Sequence, residues 1–292
     1  MMIGVLVGLL CALTWAVSSV LMKDLARKLD PFTLNAPRSL IGGLSMFLLT
    51  LAMGKTAAYQ ALTPEKIFFL LASICIGGGI GDTFYIYSLA RIGVSQAFPL
   101  ASTYPALTLL FGMFFLHEEV SLGIVGGLVL VLGGIWLISR PPASRAQDAA
   151  RVIKGSGVAL ALVASFCWAV SMSLLGPGMK GLDPIMVSSV RAPALSLVLW
   201  GIVALRRSAP ALAKLSRHEW VILIVGALIG WGLGSVLFLA TIALCGPTRA
   251  AILTSTSPLF ALPLSVLFLK ERVSRTILAG TALTVVGIVL VS

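Results

Sequence analysis

The sequence predicts an all-α integral membrane protein of ten transmembrane helices, arranged as two inverted five-helix repeats. Three observations lead there. The chain of 292 residues is 59% hydrophobic and 11% charged, with a mean hydropathy of +1.06. Soluble domains are about 45–50% apolar and about 25% charged. Charged or Pro/Gly-rich breaks cut the chain into ten apolar runs, each near the length of a membrane span. The second half then repeats the first at a spacing of 153 residues with no gap.

A helix rising about 1.5 Å per residue crosses about 30 Å of hydrocarbon in about 20 residues. The first run, 2–22, stops at Lys23 and Asp24. The second, 32–53, follows Asp30-Pro31 and ends before Lys55. The third, 66–90, is bounded by Lys66 and Arg91, and the fourth, 94–116, closes at Glu118. The fifth, 121–139, ends at Arg140. After a polar stretch the plan returns as runs 155–175, 184–205, 219–244, 247–269 and 274–292. The organisation expected is therefore repeat 1 over 1–139, a linker over 140–153 and repeat 2 over 154–292. A cleaved signal peptide is not expected, because no basic segment precedes the first run. The four cysteines lie in apolar runs without paired spacing and read as small buried hydrophobes.

The internal repeat is residue-specific. Trp15-Ala16-Val17-Ser18 returns as Trp168-Ala169-Val170-Ser171, and Asp30-Pro31 as Asp183-Pro184. Arg38 meets Arg191, Gly77 and Gly81 meet Gly230 and Gly234, and Ser102 and Pro105 meet Ser255 and Pro258. Glu118 meets Glu271, and Gly127 and Gly134 meet Gly280 and Gly287. Five spans per half is an odd number, so the second half enters the membrane from the opposite face. Inverted repeats of this kind mark secondary transporters, with the substrate site near the midplane between repeats.

These marks resemble the EamA-type repeat of the drug/metabolite transporter superfamily. They are a Trp in the first span, Asp-Pro then Arg entering the second, and small residues through the third. A Pro in the fourth, a Glu closing it and a Gly-rich fifth complete the set. The resemblance covers nearly the whole chain. It implies a ten-helix carrier, typically an exporter of amino acids, amines or other metabolites.

The net charge of +11 marks loops held at one membrane face rather than a nucleic-acid partner. Outside the spans, 15 basic residues fall in loops 1–2, 3–4, 5–6, 7–8 and 9–10, against 4 in the other loops. The charge count puts the first set in the cytoplasm and both termini outside. Members of the resembling family are usually drawn the other way round.

Asp82 is the one acid placed well inside a span, about 5 Å from its middle at 1.5 Å per residue. A charged Asp at the centre of a bilayer costs at least about 2.5–3.5 kcal/mol. It must face a cavity, find a partner or hold a proton, which makes it the candidate coupling or cation site. Its repeat mate is Ser235, so the symmetry is broken at that point. Trp15 and Ser18, Trp168 and Ser171, Tyr85, and Trp231 with Ser235 lie at similar depth, and are the candidate pocket lining. The structural alternative is that they only pack.

Pro105 and Pro258, in hydroxyl-rich stretches of spans 4 and 9, suit a kinked gate or a static bend. Arg38 and Arg191 sit about 10 Å into spans 2 and 7. Inversion places Arg38 on the face of Glu271 and Arg191 on that of Glu118, so each pair can form a latch across repeats; permanent capping of carbonyls is the alternative. Two small-residue stripes, Ser73-Gly77-Gly81 and Gly226-Gly230-Gly234, are expected to let spans 3 and 8 cross. Gly123 and Gly127 suit a packing face inside the bundle or in a dimer.

No HExxH, CxxC, P-loop or GxSxG occurs, so no catalytic residue, metal site or cofactor is expected, and uphill work would draw on an ion gradient. The resulting expectation is a multi-pass secondary carrier of the cytoplasmic (inner) membrane. It would export a small amino acid or organic amine, with protons as candidate coupling ion at Asp82, as monomer or homodimer without nucleic acid. A flippase of lipid or lipid-linked amphipaths, an importer of a quaternary amine and a membrane receptor on a vestigial carrier fold are the alternatives.

Overall fold

The computed structural model describes residues 2–22, 24–92, 97, 100–138, 155–257, 259–260 and 275–291, and their regular structure is entirely helical. The expected linker 140–153, Pro258 and Glu271 lie outside the described residues. In chain order, α1 is Met2–Met22 and α2 is Pro31–Ala52. Helix α3 is composite: Pro64–Ile74, a π-helical turn over Cys75–Gly81, then Asp82–Ile92. Helices α4 and α5 are Tyr104–Phe115 and Leu122–Ile138. Helices α6 and α7 are Gly155–Met179 and Pro184–Leu205. Helix α8 repeats the plan of α3, with Arg217–Ala227, a π-helical turn over Leu228–Leu233, and a continuation into Gly234–Thr254. That last stretch breaks at Gly246, where φ is 81° and ψ is 165°. Only glycine takes up this backbone conformation readily, and Pro247 then restarts the chain as α9. Helix α10 is Arg275–Val291.

Five of the described helices are long and apolar enough to cross a membrane: Met2–Met22, Pro64–Ser88, Gly155–Met179, Pro184–Leu205 and Arg217–Thr254. Pro31–Ala52 is of similar length, and the short helix Lys55–Ala61 turns away from it by 111°. Large apolar side chains point outward all round the bundle, among them Leu48, Phe114 and Leu197, while many Ser and Thr are buried inside. That is the polarity of a protein dissolved in lipid.

The Asp-Pro pairs start α2 and α7 for a local reason. Asp30 accepts hydrogen bonds from the Phe32 and Thr33 amides, and Asp183 from those of Ile185 and Met186. Each is an N-cap satisfying two orphan donors, and Pro at the first helical position loses no needed N–H.

The two repeats interlock. Helix α1 packs on α8 and α9, and α6 packs on α3 and α4. Helix α2 packs along α7, and α5 along α10. Nearly every large interface thus joins one repeat to the other. The α5–α10 contact proves the inversion. A methyl group built on Gly127 would lie 2.6 Å from the Gly287 carbonyl, and one on Gly134 would lie 2.5 Å from that of Gly280. As residue number rises along α5 it falls along α10, so the helices are antiparallel. Gly127 and Gly280 are repeat mates, as are Gly134 and Gly287, so a two-fold axis exchanges the two contacts. These glycines serve packing within the bundle.

The expected crossing of α3 with α8 is not what the small residues make. Each stripe instead receives the first helix of the other repeat. Gly77 faces Ser171 and Gly81 faces Trp168 on α6, while Gly226, Gly230 and Gly234 face Met22, Ser18, and Thr14 with Trp15 on α1. Close approach needs glycine on one partner only, so the stripes do not have to meet each other.

Candidate functional site

The interlocking leaves a cavity of about 560 Å³ at the centre, walled by helices of both repeats. Its lining includes Trp15, Ser18, Arg38, Asp82, Tyr85, Trp168, Ser171, Arg191, Trp231 and Ser235. Every residue singled out from the sequence as a coupling or pocket residue is therefore brought to one place, joined there by Arg38 and Arg191.

The floor of the site is built twice, by the same bonds. Ser18 on α1 donates to the Gly226 carbonyl of α8 at 2.8 Å, and Ser171 on α6 donates to the Ser73 carbonyl of α3 at 2.7 Å. Ser18 and Ser171 are repeat mates, and so are Ser73 and Gly226. Beside these contacts both α3 and α8 widen into a π-helical turn. Such turns interrupt the regular hydrogen-bond ladder and are frequent at functional sites. Asp82 follows the first directly, and Ser235 follows the second at the matching position.

The walls are also paired. Trp168 lies 5.2 Å from Tyr85 and Trp15 lies 5.3 Å from Phe238, measured between ring centroids. Phe238 is the repeat mate of Tyr85. Tyr104 adds an edge-on ring 5.7 Å from Trp168, and its hydroxyl donates to the Ala251 carbonyl at 3.0 Å. Trp231 reaches into the space beside Gly78, its own repeat mate, which cannot hold a side chain there without crowding.

The polar groups break this symmetry. The Trp168 indole N–H donates to Asp82 Oδ1 at 2.8 Å. At the equivalent place Ser235 receives the Ser188 hydroxyl at 3.0 Å. Arg38 donates from Nη1 to Asn35 Oδ1 at 2.7 Å and from Nη2 to Ser18 Oγ at 3.3 Å. Arg38 and Asp82 line the same cavity. Arg191 donates from Nη2 to Ser73 Oγ at 3.2 Å. Asn35, Tyr104 and Phe238 are site residues that the sequence reading passed over. Asn35 lies one helical turn before Arg38, and Phe238 was legible as the mate of Tyr85.

The gating residues are placed differently from the expectation. Glu118 accepts from the Thr248 hydroxyl, and Gly112 and Gly246 leave room for its two oxygens. Arg191 is turned inward to Ser73 and the cavity. The Arg191–Glu118 latch is therefore not made in this structure: Glu118 takes the Thr248 hydroxyl, and Arg191 turns to Ser73 and the cavity. Arg38 likewise faces the cavity, and its expected partner Glu271 lies outside the described residues. Pro105 stands in the first turn of α4, just past a break at Ser102 and Thr103. The same break recurs at Ser255 and Thr256. Thr103 donates to the Leu100 carbonyl at 2.7 Å and Thr256 to that of Leu253 at 2.6 Å, so local hydroxyls satisfy both breaks.

The sequence pattern of the EamA-like transporter family matches residues 2–140 and 155–292. An uncharacterized transporter of Archaeoglobus fulgidus is 27% identical over 289 residues, covering 99% of this chain and 98% of its own. A WAT1-related chloroplastic protein of Arabidopsis thaliana is 24% identical over 95% of this chain and 66% of its own. An uncharacterized inner membrane transporter of Escherichia coli K12, YhbE, is 26% identical over 47% of this chain and 42% of its own. A protein of known crystal structure superposes with a TM-score of 0.76 at 18% identity, over 98% of this chain and 97% of that one, which establishes the shared fold.

Proposed function

The chain belongs to the EamA-like transporter family, and on that premise we propose that it is a secondary carrier exporting a small amino acid or organic amine. One observation carries the reading. One carboxylate among the described residues of the lining, Asp82, is held by the Trp168 N–H on the wall of a central cavity lined by aromatic rings. A substrate ammonium meets there an acceptor and π faces, the two groups that bind cations best away from water. A proton can occupy the same carboxylate when the substrate leaves, which makes Asp82 the coupling residue.

Alternating access follows from the packing. The repeats interlock, so the bodies that move are not the repeats themselves. They are two mixed bundles: α1, α2, α8 and α9 on one side, and α6, α7, α3 and α4 on the other. The long α2–α7 contact joins them, and the cavity lies between. The two-fold would make the inward-open and outward-open forms near-equivalent states of one design.

The surface pairs support the grouping of the loops by face. Lys28 of loop 1–2 pairs with Glu219 at the start of α8. Lys55 of loop 2–3 pairs with Asp183 at the start of α7, at 2.6 Å. Each pair joins segments assigned to one face, the first cytoplasmic and the second outside. The membrane proposed is the cytoplasmic one.

The test is solute counterflow with purified protein in liposomes preloaded with unlabelled L-phenylalanine, L-leucine or phenethylamine. Uptake of the labelled compound above protein-free liposomes is expected for at least one, with loss in Asp82→Asn. Uptake unchanged in Asp82→Asn removes the site assignment. No counterflow of any amino acid or amine, with counterflow of labelled lipid, replaces the reading by a flippase.

A further inference from the structure

Arg38 and Arg191 are repeat mates, yet their charges are met differently. Arg38 donates to the Asn35 amide oxygen and the Ser18 hydroxyl, and it shares the cavity wall with Asp82. Arg191 is 4% exposed, and the Ser73 hydroxyl is its one hydrogen-bond acceptor among the described residues. Its Nε–H is buried with no partner, as is that of Arg38. No carboxylate forms an ion pair with it among the described residues. The sequence accounts for the difference: Asn35 becomes Ser188 and Asp82 becomes Ser235 in the second repeat, so neither the amide oxygen nor the carboxylate has a counterpart there.

A buried guanidinium left without an anion is strongly unfavourable, and in a membrane interior such groups mark substrate pathways. Arg191 lines the cavity that holds Asp82. Its planar fork suits a carboxylate, which it can hold through two parallel N–H donors. We propose that Arg191, with Ser73 as its positioning hydroxyl, is the carboxylate subsite of the transported molecule. The substrate is then a zwitterion lying across the cavity, its ammonium at Asp82 and its carboxylate at Arg191. This rests on the reading of the cavity as the substrate site, and it excludes simple amines as the preferred cargo. Arg38 is not a second carboxylate site, because the Asn35 amide oxygen and the Ser18 hydroxyl already take its Nη1 and Nη2 donors.

The experiment uses the full chain in detergent and three matched ligands: L-phenylalanine, phenethylamine, which lacks the carboxylate, and 3-phenylpropionate, which lacks the ammonium. Apparent affinities come from thermal stabilisation. A hydrogen-bonded charge contributes about 1.5–3 kcal/mol, so wild type should bind the amino acid at least about tenfold more tightly than either fragment. In Arg191→Gln the amino acid should fall to the level of phenethylamine, with phenethylamine itself unchanged or tighter. Arg191→Lys, which keeps the charge without the fork, should retain part of the preference.

Equal binding of amino acid and amine by wild type would overturn the proposal, and this comparison needs no variant to fold. Equal weakening of both ligands in Arg191→Gln would also overturn it, leaving Arg191 a structural residue. Asp82→Asn separates the two readings. If it leaves phenylalanine affinity unchanged while Arg191→Gln still abolishes the carboxylate preference, the Asp82 assignment fails and the Arg191 subsite stands.

Discussion

Trp15 and Trp168 occupy the same place in the two repeats, against a glycine of the opposite third helix and beside a second aromatic ring. Trp168 finds a carboxylate in front of it; Trp15 faces the position where the carboxylate has become Ser235. The same contrast runs through the molecule. Ser18 and Ser171 make equivalent bonds, the π-helical turns coincide and the α5–α10 glycines exchange places. At Asp82, Asn35, Tyr104 and Lys55 the second repeat carries Ser235, Ser188, Ser257 and Ser208 instead. On the proposed mechanism, the frame is kept in duplicate because alternating access needs two equivalent packings. The chemistry is not, because a substrate has no two-fold axis. Substitutions at framework mates should therefore act equally, and those at chemical mates unequally.

The largest inequality is expected at the carboxylate. Asp82→Asn should slow L-phenylalanine counterflow by about 10–100-fold, the value of one charged hydrogen-bonded contact. Ser235→Ala should change it by less than about fivefold, since a neutral hydroxyl contributes roughly 0.5–1 kcal/mol. Equal losses in the two would place the cation site elsewhere.

The framework should respond evenly. A side chain at Gly134 meets the Thr284 hydroxyl and the Gly280 carbonyl, and one at Gly287 meets the Gly127 carbonyl and the Val131 amide. Gly134→Val and Gly287→Val should each destabilise by about 1–3 kcal/mol through overpacking, and by similar amounts in thermal unfolding. A large difference between them would mean that the two-fold does not hold at α5–α10.

The indole donors give a smaller contrast. Trp168→Phe keeps the ring but removes the N–H from Asp82, and should weaken phenylalanine binding by about 2–10-fold. Trp15→Phe should stay within about twofold, because no carboxylate stands at its partner position. The reverse order in a binding titration would count against the asymmetry.

The smallest effect belongs to the surface. Partial burial pushes the Asp183 carboxyl up, but the Lys55 ammonium and the Met186 and Ile185 amides outweigh it and hold the group below the usual carboxylate range. A folded pKa below the unfolded value means stability present above the unfolded pKa and lost as pH falls through the folded one. Lys55→Met should cost about 0.2–1 kcal/mol at pH 7 for this part-exposed pair. The difference should shrink in acid, as Asp183 protonates in both proteins. Ser208→Ala, at the matching position, should show no such pH dependence.

Much of this arrangement was legible in the residues. The apolar runs and the repeat gave the helices, and the depth of Asp82 with the recurring tryptophans gave the cavity wall. What periodicity could not supply was partnership. The stripes on α3 and α8 announce close approach but not to which helix, and they turned out to receive α6 and α1. Arg191 and Glu118 lie on the same side of the membrane in sequence terms, yet Ser73 and Thr248 stand nearer, and no spacing rule points to a hydroxyl on another helix. Asn35 was overlooked because its mate, Ser188, carries a different side chain.

The central claim is that one carboxylate, placed at one of two equivalent positions, gives the cavity its cation site. Moving it tests this most directly. L-Phenylalanine binding would be measured by thermal stabilisation in wild type, D82S and the double variant D82S/S235D. The account predicts loss of binding in D82S and partial recovery in the double variant, where Trp15→Phe then becomes more damaging than Trp168→Phe. Wild-type binding in D82S would contradict it.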